Sequence, residues 1–221
     1  MGAKPTAALF LDFDGTITNR DTAEIALDRF GDPAWIRIDE AFEKGEISLE
    51  ESIRREFATL RAPEEEIIKE VSRLAAFRPN FDVLVDYCRG RNLPIKVVSA
   101  GLDFIIRNFL GRDEWLNSIE IQCPKAQFTT EGYSLTFPPK LDSRSQNFKD
   151  DLVRRERKNG TTVFFVGDGT GDLPAAKESD FAFAVKESRL AVRCREQQIT
   201  HQEIDDFNQV VATLTQKIPE T

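Results

Sequence analysis

Apolar positions follow two rhythms along this chain, and the change between them divides it into parts. Leu9, Phe10 and Leu11 form a short unbroken run, and Ile95 to Val98 and Thr161 to Val166 are runs of the same kind. Such runs predict parallel strands buried on both faces. Between the first two, from Asp21 to about Arg78, apolar residues recur at helical spacing instead. Asp21 or Thr22 can cap a first helix through Phe30, which Gly31-Asp32-Pro33 breaks. Pro33 suits the first turn of a second helix running towards Lys44. Ser48 with Glu51 predicts a capping box on a third, whose face carries Leu49, Ile53, Phe57 and Leu60. Pro63 followed by Glu64, Glu65 and Glu66 opens a fourth, its charges read as a solvated face.

Beyond Arg78-Pro79, strands and helices alternate. A helix from Asp82 to Arg91 precedes the second strand, and another from Asp103 to Leu110 follows it. Ile119 to Cys123 and Tyr133 to Phe137 alternate around Thr129-Thr130-Glu131-Gly132, which predicts an antiparallel hairpin. A helix from Lys149 to Lys158 leads into the third strand. A short strand at Phe181 to Val185 and helices around Leu190 to Arg195 and Asp205 to Lys217 complete the chain. The expected fold is α/β, a Rossmann-like parallel sheet with right-handed crossovers. Residues 1–18 and 79–221 would form the core and residues 19–78 an inserted helical cap.

Composition narrows the function. The 221 residues are 40% hydrophobic and 31% charged, as in an ordinary globular protein. A net charge of -8 argues against a nucleic-acid partner, since no basic excess exists to displace counterions. No apolar run approaches the roughly 20 residues of a membrane helix. The first apolar run is too short for a signal peptide and leads straight into Asp12. Cys88, Cys123 and Cys194 are odd in number and widely spaced, which suits reduced thiols and a cytoplasmic location.

The chemistry collects at the strand ends. Asp12 and Asp14 are two apart, so both project to one side of an extended chain. The second strand ends in Ser99-Ala100-Gly101, and the third in Gly167-Asp168-Gly169-Thr170-Gly171-Asp172. In a parallel sheet these ends share one edge, where open α/β sheets bind their ligands. Lys149, at a helix start, joins them if the preceding loop bends back; Lys140, in that loop, is its competitor. Buried carboxylates with one lysine and one hydroxyl suit a divalent cation, Mg²⁺ by its preference for oxygen ligands, together with an anionic group.

These motifs, in this order, resemble the haloacid dehalogenase-like (HAD) phosphatases. The resemblance implies that Asp12 is the nucleophile, forming an aspartyl phosphate, and that Asp14 is the general acid and base. It further implies that Ser99, Lys149, Gly15, Thr16, Ala100 and Gly101 surround the phosphate of a small phosphorylated metabolite. Mg²⁺ would be held by Asp12, Asp14 through its backbone carbonyl and Asp168, with Asp172 a further ligand, direct or through water, or a partner to Lys149.

Two subgroups compete for the substrate. Phosphoserine phosphatases grip the substrate carboxylate with a cap arginine. Glu56 stands at that place here, with Arg54 or Arg55 available if the register slips. The closer likeness is to the methionine-salvage phosphatases acting on 2-hydroxy-3-keto-5-methylthiopentenyl-1-phosphate. It is carried by Ser99 to Phe104, by Cys194-Arg195-Glu196-Gln197, and by His201 with Asp205-Asp206-Phe207. Their Cys-rich loop before the motif lysine is absent, since Lys140 to Phe148 contains no cysteine. A phosphatase of the phosphoethanolamine or phosphocholine type, a phosphomutase and a non-catalytic binding protein are the remaining alternatives.

Overall fold

The computed structural model describes residues 6–111 and 115–218. Its centre is a six-stranded sheet in which every pairing is parallel. The strands are β1 (Ala7–Leu11), β2 (Ile95–Val98), β3 (Ile119–Gln122), β6 (Thr162–Gly167), β7 (Phe181–Val185) and β8 (His201–Ile204). They lie in the order β3-β2-β1-β6-β7-β8, with Leu9 opposite both Ile95 and Phe164. The chain therefore winds outward from β1 in one direction and from β6 in the other. The crevice between their carboxyl ends is the switch point at which such sheets bind ligands.

Successive residues of a strand face opposite sides, and β1 shows it: Leu9 and Leu11 join one apolar layer, Ala8 and Phe10 the other. Helices α5 (Phe81–Gly90), α6 (Asp103–Leu110) and α10 (Phe207–Lys217) bury residues in the first layer. Helices α7 (Phe148–Lys158), α8 (Leu173–Glu178) and α9 (Arg189–Glu196) do so in the second.

The helical cap comprises α1 (Thr22–Phe30), α2 (Trp35–Glu43), α3 (Leu49–Phe57) and α4 (Glu64–Leu74). Asp21 caps α1 through Glu24 N–H, and Ser48 caps α3 through Glu51 N–H. The two chain segments that join cap to core run side by side. Thr18 and Phe77 form an antiparallel bridge, and Arg78 N–H donates to Ile17 O at 2.7 Å.

Two expectations need correction. Ile119 to Cys123 is not a hairpin strand; β3 pairs in parallel with β2 at the edge of the main sheet. The hairpin is β4 (Lys125–Thr129) against β5 (Gly132–Thr136), on the far side of Cys123-Pro124. The Lys-Ala-Gln-Phe-Thr strand is largely exposed and has no apolar alternation to announce it. Strand β8 was also not anticipated, because His-Gln-Glu-Ile carries a single apolar residue.

Candidate active site

Strand β1 ends at Leu11, and the chain turns sharply over Asp12 to Thr18. Gly15 makes this turn at φ +71°, and a side chain there would collide with Asp168. Arg78, on the returning segment, fixes the turn from outside: its Nε donates to Thr16 O at 2.8 Å and its Nη2 to Gly15 O. Thr16 Oγ1 in turn donates to Asp168 Oδ1 at 2.6 Å. The polar groups of Gly15 and Thr16 thus brace the loop and β6, and neither residue lines the pocket as the resemblance implied.

Asp12 is buried, and its Oδ1 accepts from Phe13 N–H at 2.8 Å and faces Lys149 Nζ at 2.9 Å. The same Nζ lies 2.7 Å from Asp172 Oδ1. Lys149 reaches this position because Asn147 caps α7 and its Nδ2 donates to Gly171 O at 2.9 Å, bending the loop back onto the sheet edge. Lys140 sits outside, exposed, its Nζ against Gln146 O. Asp172 precedes α8 without capping it; its Oδ2 accepts from Asp168 N–H and Gly169 N–H, each at 3.0 Å.

Asp14 is set apart from this cluster. Its Oδ1 accepts from Thr22 Oγ1 and its Oδ2 from Ser99 Oγ at 3.0 Å. Ser99 Oγ accepts from Gly101 N–H at 2.9 Å, so Ser99 orients Asp14 here rather than facing the pocket, whereas Ala100 and Gly101 line it. A Cβ on Gly101 would fall 2.1 Å from Asp14 Oδ2, which explains the glycine.

Asp12, Asp168 and Asp172 each offer a carboxylate oxygen, all within 4.8 Å of one another. Burial pushes the Asp12 carboxyl well above its ordinary value, and Asp172, Asp168 and Asp14 add to this against the opposing pull of Lys149. Burial and Asp172 likewise raise Asp168 to about 7, and burial raises Asp14. For Lys149, burial alone would lower the amine, but Asp12 and Asp172 outweigh it and hold it protonated. One ammonium facing that many buried carboxylates leaves negative charge uncompensated. An all-oxygen donor set with surplus negative charge fits a hard divalent cation.

Above the cluster opens a cavity of about 120 Å³ roofed by the cap. Leu27, Trp35, Phe42, Leu49 and Ile53 supply apolar walls, and Asp21, Glu24, Asp39, Glu43 and Glu56 supply acid. Arg189, from the core, is drawn into this acid: its guanidinium lies 3.1 Å from Asp39 and Glu43 and 3.8 Å from Glu24. The two alternative cap arginines are elsewhere. Arg54 donates to Leu135 O and stacks on Phe137, whereas Arg55 is exposed and paired with Glu51 at 2.6 Å. His201, on β8, bonds Ile199 O through Nδ1 and takes no part in the pocket. Asp39 and Arg189 are not singled out by the sequence, and Asp21 and Thr22 are legible there only as helix-cap candidates.

A doubly wound sheet whose switch point carries a lysine-bridged carboxylate cluster defines a hydrolase of the phosphatase type. A sequence model of the haloacid dehalogenase-like hydrolases matches residues 9–177, and the chain belongs to that family. It is 30% identical over 213 residues to a 2-hydroxy-3-keto-5-methylthiopentenyl-1-phosphate phosphatase of Brevibacillus brevis, covering 94% of this chain and 95% of the relative. The Geobacillus thermodenitrificans enzyme of the same name is 28% identical over the same shares of the two chains. Among solved structures, a phospho-aspartyl intermediate analogue of phosphoserine phosphatase superposes with a TM-score of 0.73. That match covers 95% of this chain and 99% of the other at 16% identity, a likeness of fold. No described helix is long and apolar enough to cross a membrane.

Proposed function

We propose that the protein is a Mg²⁺-dependent phosphomonoesterase that cleaves a small phosphorylated metabolite through an aspartyl phosphate on Asp12. The observation that supports this most is Lys149 held between Asp12 and Asp172 beside Asp168, an anion trap built around a nucleophile. Asp12 Oδ1 is engaged by Phe13 N–H and Lys149, which leaves Oδ2 to attack phosphorus. As the Asp12–phosphorus bond forms and the ester bond breaks, Asp14 gives its proton to the departing alkoxide. Its burial favours the protonated form that this step needs. Asp14 then takes a proton from the water that attacks the aspartyl phosphate, and inorganic phosphate leaves with Asp12 restored. Two moderate displacements replace one difficult one. Lys149 holds its charge against the developing negative charge on phosphorus and Asp12. Mg²⁺ held by Asp12, Asp168 and Asp172 would supply further charge neutralisation between the two anions.

For the substrate, we favour a leaving group without a carboxylate, and the hydroxy-keto phosphate named for the curated relatives is the leading candidate. Phosphoserine is disfavoured because Asp21, Glu24, Asp39 and Glu43 line the pocket around Glu56, and Arg54 and Arg55 do not line it. The one pocket cation besides Lys149, among the described residues, is Arg189, already shared by acidic neighbours.

Purified protein with Mg²⁺, assayed for phosphate release across a panel of phosphomonoesters, tests this reading. Hydroxy- and keto-phosphates should be turned over well and phosphoserine poorly. Asp12→Asn should remain folded and lose turnover by at least about 10⁴-fold. No release from any substrate, or a competent Asp12→Asn enzyme, would refute the mechanism.

A further inference from the structure

Helix α3 turns one face towards the pocket, with Leu49, Ser52, Ile53 and Glu56 all on its lining. Glu56 is buried, only 6% exposed. Its Oε1 accepts from Ser52 Oγ at 2.6 Å, and Oε2 has no donor among the described residues. We propose that Glu56 reads the leaving group: Oε2 carries a proton and donates it in a hydrogen bond to a carbonyl or hydroxyl oxygen of the departing alcohol. This favours phosphomonoesters whose leaving groups bear an acceptor oxygen, while Asp21, Glu24, Asp39 and Glu43 around it disfavour anionic ones; it rests on the phosphatase reading above.

The surroundings require that protonation state. Apolar neighbours strip water from the carboxyl, and acidic groups approach from the other cap helices. Asp21 and Glu24 stand at the start of α1, and Asp39 and Glu43 on α2. Besides Lys149, which is held by Asp12 and Asp172, the only cation among the described pocket residues is Arg189 from α9, shared by Glu24, Asp39 and Glu43. Burial is the largest effect on Glu56 and raises its carboxyl to about 7; the Ser52 bond and Arg189 oppose the rise, and Asp39 and Glu24 reinforce it. With Oε1 accepting from Ser52, the proton belongs on Oε2, the oxygen free to meet a ligand. An ionised Glu56 would offer the same oxygen no proton to donate.

The test compares kcat/KM for a hydroxy-keto phosphate, the better of dihydroxyacetone phosphate and D-fructose 1-phosphate, with kcat/KM for phenyl phosphate. Phenyl phosphate offers no acceptor at that place, so the ratio cancels titration of the phosphate and of the catalytic groups. In the wild-type enzyme the ratio should fall about tenfold between pH 6 and pH 8, as for one group titrating near 7. Glu56→Gln, whose amide donates at every pH, should make the ratio independent of pH. Glu56→Leu should lower it about tenfold at pH 6, the worth of one lost hydrogen bond. Circular dichroism confirms that each variant is folded. An identical pH profile in wild type and Glu56→Gln, or an unchanged ratio in Glu56→Leu, overturns the inference. Turnover of phenyl phosphate without any turnover of the hydroxy-keto phosphates also overturns it while leaving the phosphatase reading intact. Failure on phenyl phosphate as well removes both.

Discussion

Lys149 is the most informative side chain to remove. An ammonium at the start of a helix faces the positive end of the helix dipole, an unfavourable place for a cation. It is held there, 3% exposed, by Asp12 at 2.9 Å and Asp172 at 2.7 Å. Lys149→Met keeps an unbranched side chain out to Cε, removes the ammonium, and leaves the two carboxylates facing each other with no cation between them. Breaking a buried ion pair by deleting one member costs about 3–5 kcal/mol. At about 2–4 °C per kcal/mol for a chain of this size, the melting temperature should fall by roughly 6–20 °C. The measurement is thermal unfolding in EDTA, so that no metal replaces the missing charge. Because burial penalises the ionised Asp12 carboxylate and raises its pKa, the deficit should be larger at pH 8 and shrink towards pH 5 as Asp12 takes up a proton. A second substitution, Asp172→Asn, supplies the internal control. Its amide oxygen can still accept from Asp168 and Gly169 N–H, yet the buried charge is gone. The double variant should therefore recover at least half of the lost stability. A drop below about 2 °C, or no recovery in the double variant, would refute the electrostatic account.

Two further outcomes follow from the same geometry. Gly101→Ala places a Cβ 2.1 Å from Asp14 Oδ2 and 3.2 Å from Ser99 Oγ, so Asp14 must move while the carboxylate cluster stays. Its kcat should fall about 100-fold, the effect of an ångström-scale misplacement, with Mg²⁺ binding retained by calorimetry. Mg²⁺ at 100 times its dissociation constant should stabilise the wild-type protein by about 2.7 kcal/mol, seen as roughly 5–10 °C in melting temperature. Asp168→Asn should abolish that shift, and an equal shift in the variant would place the cation elsewhere.

Much of the core was legible because its signals are local. Unbroken apolar runs mark strands buried on both faces, and each of the main ones ends in the polar residue that the sheet then presents at its carboxyl edge. Asp12, Asp14, Ser99 and Asp168 could be named for that reason. The choice between Lys149 and Lys140 hung on a loop reversal, and Asn147 produces that reversal through a hydrogen bond to Gly171, a contact between residues 24 apart. The division of labour at Ser99 was not legible. A strand-end hydroxyl suggests a phosphate ligand, but here it donates to Asp14. The hairpin was misplaced because β4 is exposed and carries no period to read.

The inward-facing charges of the cap, unlike its helices, failed to declare themselves for a deeper reason. Helical periodicity separates a core-facing stripe from a water-facing one, and it assigns charged positions to solvent. A helix that roofs a pocket has a third side, where polar groups point inward. Asp39 and Glu43 on α2 occupy that side, and no residue of α2 is buried in the usual sense. Arg189 closes on them from α9, and Arg193 and Thr170 bind the same Glu43. Asp39 and Glu43 thus join cap to core around the pocket. Phosphoryl chemistry resides in strand ends and can be read as motifs. On the proposed function, selectivity resides in the inward charge of the cap, which becomes visible only when α1, α2 and α3 are assembled over Asp12.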